Sequence, residues 1–251
     1  MTNTNMRGIF AGSHPPVVFL DFDGTVSKRD VIDAILEEFA DKKWLEIEQL
    51  WIDGQIGSRE CLSRQFDLVR VSPGELDEFL DDFELDDGVF EILGFCREMG
   101  SQAHIVSDGF EYYIRRMLGK HIGDAQVLST LDVWANRLFP VGNDRWQTSF
   151  PHKTKICLDG CATCKPAVMR IVNTLRVPTI FIGDGLSDRF AAENADIVYA
   201  KDKLGEFCRQ NKVEHLNYSD LYQVAGSLKA ATESVAVAFE PGLGEFSLSP
   251  A

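Results

Sequence analysis

No stretch of this chain approaches the roughly 20 consecutive apolar residues that a membrane-spanning helix needs. Positive charge is also scarce: 25 Lys and Arg stand against 39 Asp and Glu in 251 residues, a net charge of −14. A generally negative surface repels phosphate backbones and acidic lipids. No nucleic acid and no membrane is therefore expected as a partner, although a local positive pocket for a small anion is compatible with this balance. The opening MTNTNMRGIFAGSHPP lacks the charged-then-apolar layout of a secretory signal, and residues 1–14 read as a loose leader. Without an export pattern, Cys61, Cys96, Cys157, Cys161, Cys164 and Cys208 are expected as reduced thiols, which places the protein in the cytoplasm. Internal repeats and low-complexity segments are missing too.

What is present is an ordinary globular composition, 45% hydrophobic and 25% charged. The length allows one sizeable core, or one core with a small accessory domain. Three apolar runs, VVFLDFDG at 17–24, AHIVSDGF at 103–110 and TIFIGDGLSD at 179–188, each end in polar residues and Gly before helix-like sequence. Buried parallel strands read this way, and ADIVYAKD at 195–202 adds another. Between them, KPAVMRIVNTLRVP spaces Val168, Ile171, Val172 and Leu175 as a helix that Pro178 ends. The fold class expected is α/β, a doubly wound parallel sheet that places ligands beyond the carboxyl ends of its strands. Residues 15–29 and 86–228 would form it. Residues 30–85 are amphipathic and helical throughout, a small helical insertion after the first strand that could cover the site. Its Phe39, Trp44, Trp51 and Phe66 read as the insertion's own core. Residues 127–151 read as a β-hairpin around Gly142-Asn143-Asp144, and 229–251 as a tail.

Asp21 and Asp23 flank a residue that points the other way, because strand side chains alternate, so both can face one pocket. Asp184 and Asp188 bring the count of converging acids to four. Such a cluster repels itself unless a hard cation neutralises it, and oxygen-rich sites suit Mg²⁺. With the metal bound the acids tolerate a phosphate, which still needs donors. Ser107, Lys165 and the turn amides of Asp108 and Gly109 supply them. One carboxylate then attacks phosphorus while another serves as acid and base. The expected partner is a small phosphorylated metabolite.

In these motifs the sequence resembles the haloacid dehalogenase superfamily of phosphohydrolases. DxDGT matches Asp21-Phe22-Asp23-Gly24-Thr25, the serine after the second strand matches Ser107, the lysine Lys165, and GDGxxD Gly183 to Asp188. The resemblance implies Asp21 as nucleophile and Asp23 as general acid and then base. It implies Mg²⁺ on Asp21, Asp184 and the Asp23 carbonyl with Asp188 behind, phosphoryl binding by Ser107 and Lys165, and a C1 cap at 30–85. Within the superfamily the layout is similar to phosphoserine phosphatases and to methionine-salvage phosphatases acting on 2-hydroxy-3-keto-5-methylthiopentenyl-1-phosphate. Asp30, where phosphoserine phosphatases typically carry Glu, and the Cys-rich PHKTKICLDGCATCKP at 151–166 favour the salvage group, and with it amino-acid biosynthesis. Asp108 stands where both groups commonly have Gly. Phosphoserine or another small phosphomonoester remains the alternative substrate.

Each residue also has a plainer reading. A lone Asp at a strand end is more often a helix cap, and GDG alone is a common turn; four motifs in order at strand ends reverse those odds. A phosphate-accepting regulatory module would use a similar cluster without turnover, but lacks both the insertion and a second acid two residues after the acceptor. Arg59 and Arg64 are candidates to reach substrate from the insertion, or solvated helix residues. His152, Cys157, Cys161 and Cys164 offer a structural Zn²⁺ site in principle, though their spacing is not that of a zinc ribbon, and packed thiols are the favoured reading.

Overall fold

The computed structural model describes residues 9, 10, 12, 14–121, 131–154, 157 and 159–238. Seven strands form one sheet in the order β4-β3-β2-β1-β5-β6-β7. They are β1 (Val17–Leu20), β2 (Ala103–Phe110), β3 (Asp132–Val141), β4 (Arg145–Ser149), β5 (Thr179–Gly183), β6 (Ile197–Ala200) and β7 (Leu216–Asn217). All neighbours are parallel except β3 and β4, which form an antiparallel hairpin. The expected hairpin is thus present, its first residues 127–130 lying outside the described range. The chain builds outward from β1 on one side through β2 and β3, then returns to β5 on the other. The crevice between these halves lies at the carboxyl ends of β1 and β5, where doubly wound sheets bind ligands.

The apolar runs explain why β1, β5 and β6 are inner strands: every residue of each is buried. Alternation then sorts their side chains into two layers. Val17, Phe19, Phe181 and Val198 face α7 (Lys165–Val172), α8 (Arg189–Ala192) and α9 (Asp202–Asn211). Val18, Leu20, Ile180, Ile182 and Ile197 face α5 (Gly88–Met99), α6 (Glu111–His121) and α10 (Leu221–Ala238). The last helix corrects the expected tail. Residues 229–238 continue α10, and Ala231 is buried against the core, because the apolar spacing of Leu221, Val224, Ala225 and Leu228 runs on through it. Residues 239–251 lie outside the described range. In the expected leader, Phe10 packs its ring edge-on against Phe95.

Helix α7 ends earlier than its apolar spacing predicts. The Asn173 side chain clasps Val177 through two hydrogen bonds, 2.6 Å to its carbonyl and 2.9 Å from its amide. An Asn side chain that bonds nearby backbone competes with the helix in this way. Ile171 and Leu175 are consequently 62% and 70% exposed instead of facing the core.

Between β1 and α5 the chain forms α1 (Val31–Phe39), α2 (Trp44–Ile52), α3 (Ser58–Phe66) and α4 (Pro73–Asp81). Asp30 caps α1 by accepting from the Asp33 amide at 2.9 Å, and Ser72 with Glu75 forms a capping box on α4. The apolar residues of this insertion do not close on themselves. Ile35, Trp44, Phe66 and Leu76 belong to the same buried cluster as Leu20 and Tyr113, and the rings of Phe66 and Phe110 lie 4.5 Å apart. One end is tied down by polar contacts as well. Arg116 bonds Asp77 at 3.0 Å and Asp81 at 2.9 Å, and Trp146 Nε1 donates to the Val71 carbonyl at 3.0 Å. No described helix is long and apolar enough to cross a membrane.

Trp146 joins the hairpin to the insertion with both a ring and a donor. Trp146→Phe keeps the ring beside Tyr112 but orphans the Val71 carbonyl, a loss of about 1–3 kcal/mol. Trp146→Ala also leaves a cavity and is expected to cost about 3–5 kcal/mol. Urea unfolding of both variants checks this: equal midpoint shifts would show that the hydrogen bond contributes all of it.

Candidate active site

Three adjacent parallel strands deliver their polar ends to one hollow. β1 runs into Asp21 and Asp23, β2 carries Ser107 near its end, and β5 runs into Asp184. Lys165, the first residue of α7, comes in from beside them and is 2% exposed. Its Nζ lies 2.8 Å from Asp21 Oδ1 and also pairs with Asp188. The second oxygen of Asp188 accepts from the amides of Asp184 and Gly185, each at 3.1 Å. Burial alone would pull the lysine down, but Asp188, Asp21 and Asp108 more than reverse that and hold it firmly protonated.

The two acids of the first motif sit in different surroundings. Asp21 faces the lysine, whereas Asp23 is met by neutral groups: Tyr113 Oη donates at 2.7 Å and Ser107 Oγ at 3.2 Å to one oxygen, and the Val31 amide at 3.3 Å to the other. Burial pushes the Asp23 carboxyl well above the ordinary range, and the charges of Asp30 and Asp21 add to this, while the Tyr113 and Val31 bonds pull it partly back. Such a setting favours the protonated form of the carboxyl. Gly109 must be glycine here, because a β-carbon would lie 2.0 Å from Tyr113 Oη and 2.3 Å from Asp23 Oδ2.

A cation fits this donor set. Asp21, Asp184 and Asp188 offer carboxylate oxygens within 4.8 Å of one another. Asp21 Oδ1 is buried and, despite its ion pair with Lys165, meets no aligned hydrogen-bond donor. Asp184 is pushed up to about 6 by burial and by Asp21, even though Thr25 Oγ1 donates to it at 2.6 Å. Several anionic oxygens crowded together with one left unaligned is an arrangement that a hard, oxygen-seeking ion relieves.

The hollow opens into a cavity of about 240 Å³. Ile32, Trp51 and Leu62 from the insertion give it apolar wall, and Glu48 and Asp33 give it acid. Gln65 Nε2 holds Glu48 at 2.9 Å. Lys203, on α9, draws down both acids, which burial otherwise raises.

The six residues expected from the four motifs are thus gathered, with Asp108 and Gly109 beside them. The Gly109 amide is used by Ser107 Oγ at 2.8 Å, and the Asp108 carboxylate bonds Ser58 and Thr163. Asp30 lines the cavity while capping α1. Arg64 is exposed and pairs with Glu60 at 3.2 Å, and neither it nor Arg59 lines the cavity. All six cysteines are free. The Cys161 amide donates to Cys157 Sγ at 3.4 Å, and His152 packs its ring against Trp134. Among the described residues, the only group of three or more close metal-ligating side chains is the aspartate cluster. Sequence reasoning passed over Tyr113, Thr25, Glu48 and Gln65. Thr25 lay inside a quoted motif; the others carry no local pattern that separates them from core or surface.

The family model for haloacid dehalogenase-like hydrolases matches residues 18–193. The chain is 30% identical over 212 residues to a 2-hydroxy-3-keto-5-methylthiopentenyl-1-phosphate phosphatase of Bacillus velezensis, covering 83% of this chain and 88% of that one. A protein of the same name from Exiguobacterium is 26% identical, with 84% and 96% covered. Among solved structures, a phospho-aspartyl intermediate analogue of phosphoserine phosphatase superposes with a TM-score of 0.65 at 16% identity, covering 85% of this chain and 99% of that one. At that identity the likeness speaks for the fold.

Because the folded environment raises Asp23, ionising it opposes folding. That penalty is absent below its unfolded value, near 4, and grows as pH rises toward the folded one. Asp23→Asn should therefore raise the urea midpoint at pH 7 and lose this advantage at pH 3.5. Tyr113→Phe removes a bond that favours the charged form, so the Asp23 carboxyl resonance should titrate at higher pH than in wild type. A lower value would contradict the assigned hydrogen bond.

Proposed function

The chain belongs to the haloacid dehalogenase-like hydrolase family, and from that premise we propose that it is a Mg²⁺-dependent phosphomonoester hydrolase working through Asp21. The observation that carries this reading is the pairing of Asp21, 2.8 Å from Lys165, with Asp23 two residues on, buried against Tyr113 and Ser107 with its proton affinity raised. Asp21 attacks phosphorus, and the ester oxygen departs with the proton of Asp23, leaving an aspartyl-phosphate. Asp23, now a carboxylate, takes a proton from a water that attacks the same phosphorus, which frees phosphate and restores Asp21. Lys165 and Ser107 hold phosphoryl oxygens through both steps. Asp21, Asp184 and Asp188 would hold Mg²⁺, which would supply the positive charge that lets two anions meet.

The substrate proposed is 2-hydroxy-3-keto-5-methylthiopentenyl-1-phosphate, the compound in the names of the curated relatives. Support comes from the cavity wall, where Glu48 and Lys203 offer partners for a hydroxyl and a keto oxygen, and Trp51, Ile32 and Leu62 offer apolar surface for a thioether. The acids Asp33 and Glu48 on that wall also suit an ammonium group, which keeps phosphoserine as the competing reading. Residues 30–85 act in this reading as a cap that keeps water from the reacting centre while the alcohol leaves.

The test is phosphate release from the salvage enol phosphate, phosphoserine, phosphoethanolamine and p-nitrophenyl phosphate, with Mg²⁺ and with EDTA. Release is expected only with the metal, fastest on the enol phosphate, and at least about 10³-fold slower in Asp21→Asn. Asp23→Asn should slow the enol phosphate more than p-nitrophenyl phosphate, whose leaving group departs without a proton. Activity that survives in Asp21→Asn would sink the mechanism, and preference for phosphoserine would sink the substrate.

A further inference from the structure

Asp108 sits directly after Ser107, yet its carboxylate serves another purpose. One oxygen accepts from Ser58 Oγ at 2.8 Å, and the other from the Thr163 amide at 2.9 Å. Ser58 is the first residue of α3, and its hydroxyl in turn accepts from the Ala162 amide at 2.9 Å. On one side of it the Arg59 amide donates to the Gly160 carbonyl at 3.0 Å. On the other stands Gly57, where a β-carbon would lie 2.5 to 2.7 Å from the backbone of Asp159 and Gly160, a gap that only glycine fits. Asn136 in β3 completes the set: its Nδ2 donates to the Asp108 carbonyl at 2.7 Å, and its Oδ1 accepts from Thr163 Oγ1 at 3.3 Å. The insertion, β2, β3 and the loop that leads into Lys165 all meet at one residue, Asp108.

We infer that Asp108 is a positioning residue, a latch that fixes how deeply the first turn of α3 closes on the 159–163 loop. The chemistry requires a carboxylate. Two donors arrive from opposite partners, so glycine offers nothing, and an Asn side chain has a single acceptor oxygen. The contact is also of a kind that can open. The far end of the insertion is held by apolar packing and by Arg116 and Trp146, and the second half of α3 by Leu62 and Phe66, whereas the first turn of α3 meets the loop through hydrogen bonds that water can replace. Ser58, Asp108, Trp51 and Ser187 line both the catalytic cavity and a second hollow of about 260 Å³ beside it, so the latch stands at their boundary. Closed, it gives the leaving group a wall; open, it joins the two spaces.

This inference rests on the proposed phosphatase reading for its effect on turnover, but its structural arm does not. Ser58→Ala leaves an Asp108 oxygen and the Ala162 amide unpaired in the closed form alone, because water serves both when the contact is open. Amide exchange of the full chain, followed residue by residue, reads the consequence. Exchange at Arg59, whose own acceptor is untouched, should quicken about tenfold or more together with Ala162 and Thr163. Asp108→Asn should do the same, Ser58→Thr should restore protection, and β1 amides should not change. If Ala162 and Thr163 quicken while Arg59 stays protected, the bonds are local and the latch is refuted. In the activity arm, Ser58→Ala should lower kcat/KM on the enol phosphate about tenfold and leave p-nitrophenyl phosphate within about threefold. Equal loss on both would overturn the positioning role. Quickened Arg59 exchange in an enzyme inactive on the enol phosphate would uphold the latch and discard the substrate.

Discussion

Everything at this site depends on one electrostatic constraint: Asp21, Asp23, Asp184 and Asp188 converge in a hollow where little water screens them. Lys165 makes that arrangement tolerable from the protein's side. It sits between Asp21 and Asp188, fully withdrawn from solvent, and Asp188 passes the restraint on to the Asp184 and Gly185 amides. Neutralising one cation against several anions still leaves the cluster short of positive charge, as the displaced Asp184 shows. That shortfall suits a divalent ion and a phosphoryl group arriving together better than either alone. The lysine serves two acids at once, so it must be rigidly placed. Its position at the start of α7, just after the loop clasped to α3, provides this.

The legible part of the molecule is the part written in contiguous residues. Inner parallel strands are buried on both faces, so β1, β5 and β6 appear as unbroken apolar runs, and the acids that follow them stand out against that background. The spacing of Asp21 and Asp23 is likewise a local property of extended chain. Residues that act across the fold leave no such mark. Tyr113 reaches Asp23 from the first turns of α6, 90 positions away, and looks in sequence like one more core aromatic. Asp108 was legible as an oddity after Ser107, but its partners Ser58 and Thr163 are each more than 49 residues distant. The misread helix has a similar cause. Ile171 and Leu175 keep an apolar rhythm, and the side chain of Asn173 overrides it.

The insertion reads in sequence as a separate body, and its relation to the sheet is closer than that. Its aromatic and aliphatic residues share one cluster with the strands, so its base is a continuation of the core rather than a domain resting on it. This has a mechanical consequence. Apolar burial of that extent ties all four helices to the floor beneath them, Trp44 of α2 and Leu62 and Phe66 of α3 included, and leaves the first turn of α3, met through hydrogen bonds, as the part that can shift. Ile32, Glu48, Trp51 and Leu62 belong to the insertion and line the cavity, so the helices that cover the site also form its wall.

A division of labour between two similar carboxyls follows from these placements. Asp21 and Asp23 differ in sequence by two positions and in chemistry by nothing, and the fold alone makes them unlike. The first is set against a buried ammonium group, that of Lys165, 2.8 Å away. The second is enclosed by Tyr113, Ser107 and the start of α1, with other acids near and no cation in contact, which favours a proton available for donation. Gly109 is the small residue that lets Tyr113 approach closely enough to complete that enclosure. Replacing the glycine would displace the tyrosine, and Asp23 would lose the partner that restrains its affinity for the proton. That enclosure therefore depends on α6 packing tightly against the end of β2 that runs directly into it.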